Sequence, residues 1–251
     1  MYGATTDKER IRNAIAVLDY AYSKIPDTKG CLEHINMPEN EGGCGAWCCQ
    51  VQNPSVLYIE FLNTWNYVTS NWSDQQIGNL IESSLRNYLF DKSVKGCVFF
   101  DHESKMCSQH ETRPYNCRVY GIIPEEEFRP RYERLKVINP DVRDQCGLVE
   151  TADGSEVTPK KTDSWWNQAR QAEKAIGIKD ELITDEPFGS YRTYHDHVLI
   201  HLFGEEHLEK LSTVRVHLGD EEKNRIIEQM MSAYYKLKEQ LNDESIESED
   251  T

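Results

Sequence analysis

Eight cysteines are the residues of this chain best suited to chemistry: Cys31, Cys44, Cys48, Cys49, Cys97, Cys107, Cys117 and Cys146. None occurs in the remainder of the 251 residues. Buried cysteine can also act as a small apolar filler. These eight sit instead beside Gly, Asn, Asp, Arg and His, which argues for ligation. Thiolates are soft ligands and select zinc, copper(I) or iron–sulfur clusters. The opening stretch MYGATTDKERIRNAIAVLDY lacks an uninterrupted apolar segment and a small-residue cleavage site, so it does not read as a secretory signal. No apolar run is long enough to span a bilayer. The chain therefore reads as cytoplasmic, where thiols stay reduced and grouped cysteines indicate metal or catalysis rather than disulfides.

The spacing narrows the chemistry. A zinc ribbon uses paired C-x-x-C knuckles. Here residues 44 to 49 read C-x-x-x-C-C and residues 97 to 117 read C-x9-C-x9-C. In extended backbone the adjacent pair Cys48-Cys49 would point to opposite sides. Such a pair suits a site where one thiol ligates and the other supports it or serves a second metal. Eight thiolates could supply two four-thiolate sites, or one site with the others structural. Their negative charge needs an offset, and Arg113 and Arg118 flank Cys117. Loop amides around Gly43, Gly45 and Gly96 could donate hydrogen bonds to bound sulfur.

Two segments, CGAWCC and CVFFDHESKMCSQHETRPYNCRVYG, resemble the YkgJ-like cysteine-cluster family of zinc- or iron-chelating domains. Arg113-Pro114, Cys117-Arg118 and Tyr120 match its Arg-Pro-x-x-Cys-Arg-aromatic element. Cys97 with Phe99 and Phe100 matches the middle of the pattern, and Cys146-Gly147 its late Cys-Pro-Gly without the proline. The resemblance covers roughly residues 31 to 150. It departs at the start, where the next cysteine upstream of Cys44 is the distant Cys31. The resemblance implies metal binding. A relative, flagellin lysine N-methylase, is associated with a 4Fe-4S cluster and methylates protein lysines.

His195, His197 and His201 form H-x-H-x-x-x-H, which on a helix would place His197 and His201 on one face. Their neighbours Val198, Leu199, Ile200, Leu202 and Phe203 are core-like, so the leading expectation is core histidines. His34, His102 and His110 lie within the cysteine module and could replace a thiolate. Trp165-Trp166 with Tyr191 and Tyr194 read as packing anchors before they read as a pocket.

The elements that position these residues are mostly helices. Ile11, Ala14, Ile15, Leu18, Tyr22 and Ile25 make an apolar face over 6–25, with Thr6 and Glu9 at capping-box spacing. Asn53-Pro54 reads as the start of a second helix, and Ser73 with Gln76 as the start of a third. Further helices are predicted over 124–135, 163–176, 191–211 and 219–241, with brief strands at 98–100 and 119–120 and a polar linker over 147–162.

The fold class is therefore mainly α, with a loop-rich, cysteine-rich metal-binding module and few short strands. Residues 1–150 form the cysteine-cluster domain, 151–241 a helical region packed on it, and 242–251 an acidic disordered tail. Lys plus Arg number 28 against 43 Asp plus Glu, a net charge of −15. That balance argues against nucleic acid and anionic membranes as partners and leaves another protein. The function expected is that of an iron–sulfur metalloprotein, with one or two clusters and a redox or cluster-dependent role. The alternatives are a protein lysine methyltransferase-like enzyme using S-adenosylmethionine and a structural zinc-binding interaction protein.

Overall fold

The computed structural model describes residues 2–28, 49–50, 53–90, 96–101, 103, 106–138, 140, 150–185 and 189–249. Cys31, Cys44, Cys48 and Cys146, with His34 and His102, lie outside the described residues. The protein is mainly helical, with a few two-residue strands.

Helix α1 (Lys8–Tyr22) begins at Asp7, whose carboxylate accepts the amides of Glu9 at 2.9 Å and Arg10 at 3.4 Å. The cap thus falls one residue after the expected Thr6, and the buried face is Ala14, Leu18, Ala21 and Tyr22. Helix α2 spans Tyr58–Asn71. It does not begin at Pro54, because Ser55–Val56 (β1) instead pairs antiparallel with Arg192–Thr193 (β4). Helix α3 (Asp74–Phe90) has the reciprocal cap its sequence predicts. Ser73 N–H donates to Gln76 Oε1 at 2.9 Å, and Gln76 N–H to Ser73 Oγ at 3.3 Å.

A hairpin of Phe100–Asp101 (β2) and Met106–Cys107 (β3) follows. Val119 was expected in a strand but closes the short helix α4 (Tyr115–Val119). Helix α5 (Glu125–Ile138) tolerates Pro130 within it. Of the polar segment 147–162, residues 150–162 are described. Thr151 bridges antiparallel to Thr28, and Thr158-Pro159 starts helix α6 (Pro159–Ala175).

The single helix expected over 191–211 is divided into α7 (Tyr194–Phe203) and α8 (Glu205–Val214). Gly204 between them has φ +83°, which ends one helix and redirects the chain. Helix α9 spans Asp220–Glu249. No Gly or Pro interrupts that stretch, and extending a helix costs far less than starting one. No helix among the described residues is long and apolar enough to cross a membrane.

Helix α1 packs on α6, and α3 lies between α7 and α9. Leu18, Val56, Leu57, Ile59, Ile81, Leu85, Ala172 and Ile200 are fully buried in one continuous core. Two buried carboxylates hold the start of α2. Glu173 of α6 accepts the Tyr58 and Ile59 amides at 3.1 and 2.7 Å, and Glu60 accepts the Leu57 amide at 2.7 Å. They replace a side-chain cap, and their charge complements the positive end of the helix.

Burial raises the Glu173 carboxyl from its ordinary 4.5 to about 7, and the nearby Glu60 adds to the rise. The folded state therefore holds a proton that the unfolded state releases above 4.5. Stability from this group is present below that pH and is lost as pH rises toward 7. Glu173→Gln should flatten the fall in melting temperature between these two values. A wild-type melting curve with no slope across that window would refute the assignment.

Candidate metal centre

The described cysteines are Cys49, Cys97, Cys107 and Cys117. The Cys97 amide donates to the Cys49 carbonyl at 2.6 Å, joining two distant segments directly before each enters the module. Gly96 makes that approach possible. Its φ is +133°, and a Cβ there would stand 2.7 Å from the Gln50 carbonyl oxygen and 3.0 Å from that of Cys49. The β2–β3 hairpin then sets Cys107 opposite Phe100. Ser108 closes it by donating both its amide and its hydroxyl to the Phe99 carbonyl, at 2.9 and 3.0 Å.

Cys107 therefore returns to Cys49. The hydrogen bond from Cys49 is the main reason the Cys107 thiol sits at about 7, below its ordinary 9. The Gln109 amide and the charge of Arg113 add to the lowering, against an upward push from burial.

The Arg-Pro-x-x-Cys-Arg block is the start of α4. Pro114 occupies the N-cap, where its missing N–H costs nothing, and its carbonyl accepts the Cys117 and Arg118 amides at 3.0 and 3.1 Å. Glu60 Oε1 accepts the Tyr115 amide at 2.6 Å and the Tyr22 hydroxyl. One carboxylate thereby ties α1, α2 and the cysteine-bearing helix.

The two arginines hold loop carbonyls. Arg113 Nε donates to His110 O at 2.9 Å, and Arg118 donates to Arg113 O and Glu111 O at 2.7 Å each. The Arg118 guanidinium also lies 4.9 Å from the centre of the Tyr22 ring. The charge of Arg113 also acts on the Cys107 thiol. Burial, and then these two cations, hold His110 down at about 4, so it is neutral near neutrality.

Helix α7 closes the module from the other half of the chain. The buried Tyr194 packs edge-on against Phe99, with centroids 4.8 Å apart, and its hydroxyl lies 3.0 Å from Thr64 Oγ1. Thr64 in turn donates to the Thr112 carbonyl at 3.4 Å. Burial raises the Tyr194 phenol far above its usual range, and Cys117 and Cys97 add to that rise through their proximity.

Gln109, between Cys107 and Cys117, is only 3 % exposed. Its Oε1 accepts the Thr112 hydroxyl at 3.2 Å, while its Nε2 has no hydrogen-bond partner among the described residues. A soft thiolate set, two nearby guanidinium groups and a buried donor without a partner all fit a metal held by sulfur. Among the described residues alone, no three His, Cys, Asp or Glu side chains form a complete ion cage.

Glu60, Thr64 and Gln109 were not among the residues singled out by sequence. Glu60 did leave a signal, as the only charge in the apolar run from Val56 to Leu62. Gln109 left none, since glutamine in a polar loop is unremarked.

The histidines are core residues. His195 Nδ1 pairs with Ser84 Oγ, His197 Nε2 with the Val56 carbonyl and His201 Nδ1 with the Tyr58 hydroxyl, each at 3.0 Å. His197 and His201 do share a face, against Tyr58 and Phe61. Burial lowers them to about 3 and 4, so they pack as neutral rings. His197→Ala should leave metal content unchanged while lowering the melting temperature; metal loss on that substitution would return the histidine to the ligand set. Trp166 packs between Tyr115 and Tyr191 at 5.2 and 5.4 Å, and Trp165 is buried, so this cluster anchors α6 onto α4.

Residues 40–135 match the family model described as "CxxCxxCC: Putative zinc- or iron-chelating domain". No curated protein and no solved structure matches the chain. The matched stretch contains Cys44, Cys48, Cys49, Cys97, Cys107 and Cys117 and excludes Cys31 and Cys146. The match over residues 40–135, together with the sulfur-rich donor set and the geometry around Cys49 and Cys107, supports a metal-binding role for this segment, similar to the zinc- or iron-chelating CxxCxxCC domains.

Proposed function

We propose that the domain holds iron as an iron–sulfur cluster of the 4Fe-4S kind, and that the protein is a cytoplasmic redox or cluster-dependent component acting on another protein. Ligands are drawn from Cys44, Cys48, Cys49, Cys97, Cys107 and Cys117, with Cys31 and Cys146 available for a second cluster. The observation that carries the reading is the convergence of cysteines from three separated segments. Cys49 meets Cys107 and Cys97, while Cys97 and Cys117 both approach Tyr194. An all-thiolate set larger than four, without C-x-x-C knuckles, suits a cluster better than a single zinc ion. A bound cluster supplies one-electron transfer. The chain's own residues exclude water with Phe99 and Tyr194 and balance charge with Arg113 and Arg118.

Anaerobic purification followed by iron, sulfide and zinc analysis tests this. Iron and sulfide in matched amounts, with broad visible absorbance, are expected. A colourless protein carrying stoichiometric zinc would overturn the cluster and make the module structural.

A further inference from the structure

We infer that the Gln109 side-chain amide is a hydrogen-bond donor to a metal-bound sulfur, and that it holds the charge of the centre from outside the ligand set. Gln109 lies two residues after Cys107, and its backbone amide already reaches the Cys107 sulfur. The residue is almost completely buried. Its carbonyl oxygen is committed to the Thr112 hydroxyl, which fixes the amide plane and directs the NH2 away from Thr112. That NH2 has no partner among the described residues.

A buried donor without an acceptor is costly and is rarely retained without use. Inside a thiolate-rich module, the acceptor that chemistry offers is anionic sulfur: a ligating thiolate or a sulfide of a cluster. Several neighbouring donors among the described residues are already engaged. The Cys97 amide is engaged by the Cys49 carbonyl, and Arg113 and Arg118 hold loop carbonyls. The Thr64 hydroxyl is engaged by Thr112 and Tyr194. Such donors favour the more negative form of a metal–sulfur centre, so they strengthen metal retention and raise the reduction potential of an iron centre. The inference rests on the domain's metal binding and not on which metal is bound.

Gln109→Met tests it, because methionine keeps the length and bulk of the side chain and removes the amide. Two quantities are to be read from the full chain: metal affinity by chelator competition, and the melting temperature of the metal-free protein. The effects are expected to have opposite signs. Affinity for zinc or iron should fall by about 10-fold or more. The metal-free protein should melt at the same temperature or higher, since a donor without a partner has been replaced by an apolar group. In an iron form, the midpoint potential should also move lower. A merely structural glutamine would instead destabilise the metal-free protein and leave affinity unchanged, and that result would overturn the inference. If wild type takes up metal and Gln109→Met matches it, the donor role falls alone. If wild type takes up neither zinc nor iron, the metal reading falls and the donor role falls with it.

Discussion

Cys117→Ser is expected to lower metal affinity by about 100-fold. Metal binding to structural thiolate sites is worth roughly 10–16 kcal/mol, and one ligand of four carries about a quarter of it. Cys117 lies in the first turn of α4, where its position is set by the Pro114 carbonyl and by Glu60 on the Tyr115 amide. A serine there keeps the backbone geometry and removes only the soft donor. The loss should therefore appear as a lower melting temperature with metal present, while the metal-free forms of variant and wild type melt together. Full metal content and an unchanged melting temperature would remove Cys117 from the ligand set. Cys49→Ser should show a smaller loss, because a hydroxyl can still donate to Cys107 in place of the Cys49 thiol.

Glu60→Ala should be the most damaging substitution that touches no cysteine. It would leave the Tyr22 hydroxyl and the Leu57 amide without their acceptor in a buried setting, and the Tyr115 amide with only the Tyr22 hydroxyl oxygen at 3.2 Å. Each stranded donor costs about 1–3 kcal/mol, so the two together cost on the order of 4 kcal/mol. That is comparable with the whole stability of an ordinary domain, about 5–15 kcal/mol. Urea unfolding measures it directly, and a loss under about 1 kcal/mol would show that the two stranded donors find water or other partners. Glu60→Gln keeps one acceptor oxygen and should fall between alanine and wild type. Metal retention should fall with stability, since the same carboxylate positions the helix that carries Cys117.

The sequence makes the helices legible wherever one face is apolar at the helical period. Leu18 and Tyr22 on α1, and Ile77, Leu80, Ile81 and Leu85 on α3, point inward as that period requires. The Ser73–Gln76 cap is equally legible, because both partners lie within one turn. What escaped depends on residues far apart in the chain. Ser55–Val56 reads as the first turn of a helix until it meets Arg192–Thr193. Glu60 and Glu173 replace a cap from positions separated by more than a hundred residues. At the candidate metal centre, the expectation of sulfur ligation rests on the thiols themselves. The supporting contacts of Thr64, Gln109 and Tyr194 were not, since they depend on where α7 comes to rest.

The bridge between Thr28 and Thr151, joined by the Ala152 amide on the Asp27 carbonyl at 2.7 Å, has a consequence in chain entropy. Cys31 follows one partner by three positions, and Cys146 precedes the other by five. The bridge closes a long loop, so any further contact between residues a few positions from either end pays the closure entropy of a path of about ten residues rather than of more than about a hundred, a saving of about 2 kcal/mol. The two threonines thus act as a clasp that shortens the chain path between the segments they join.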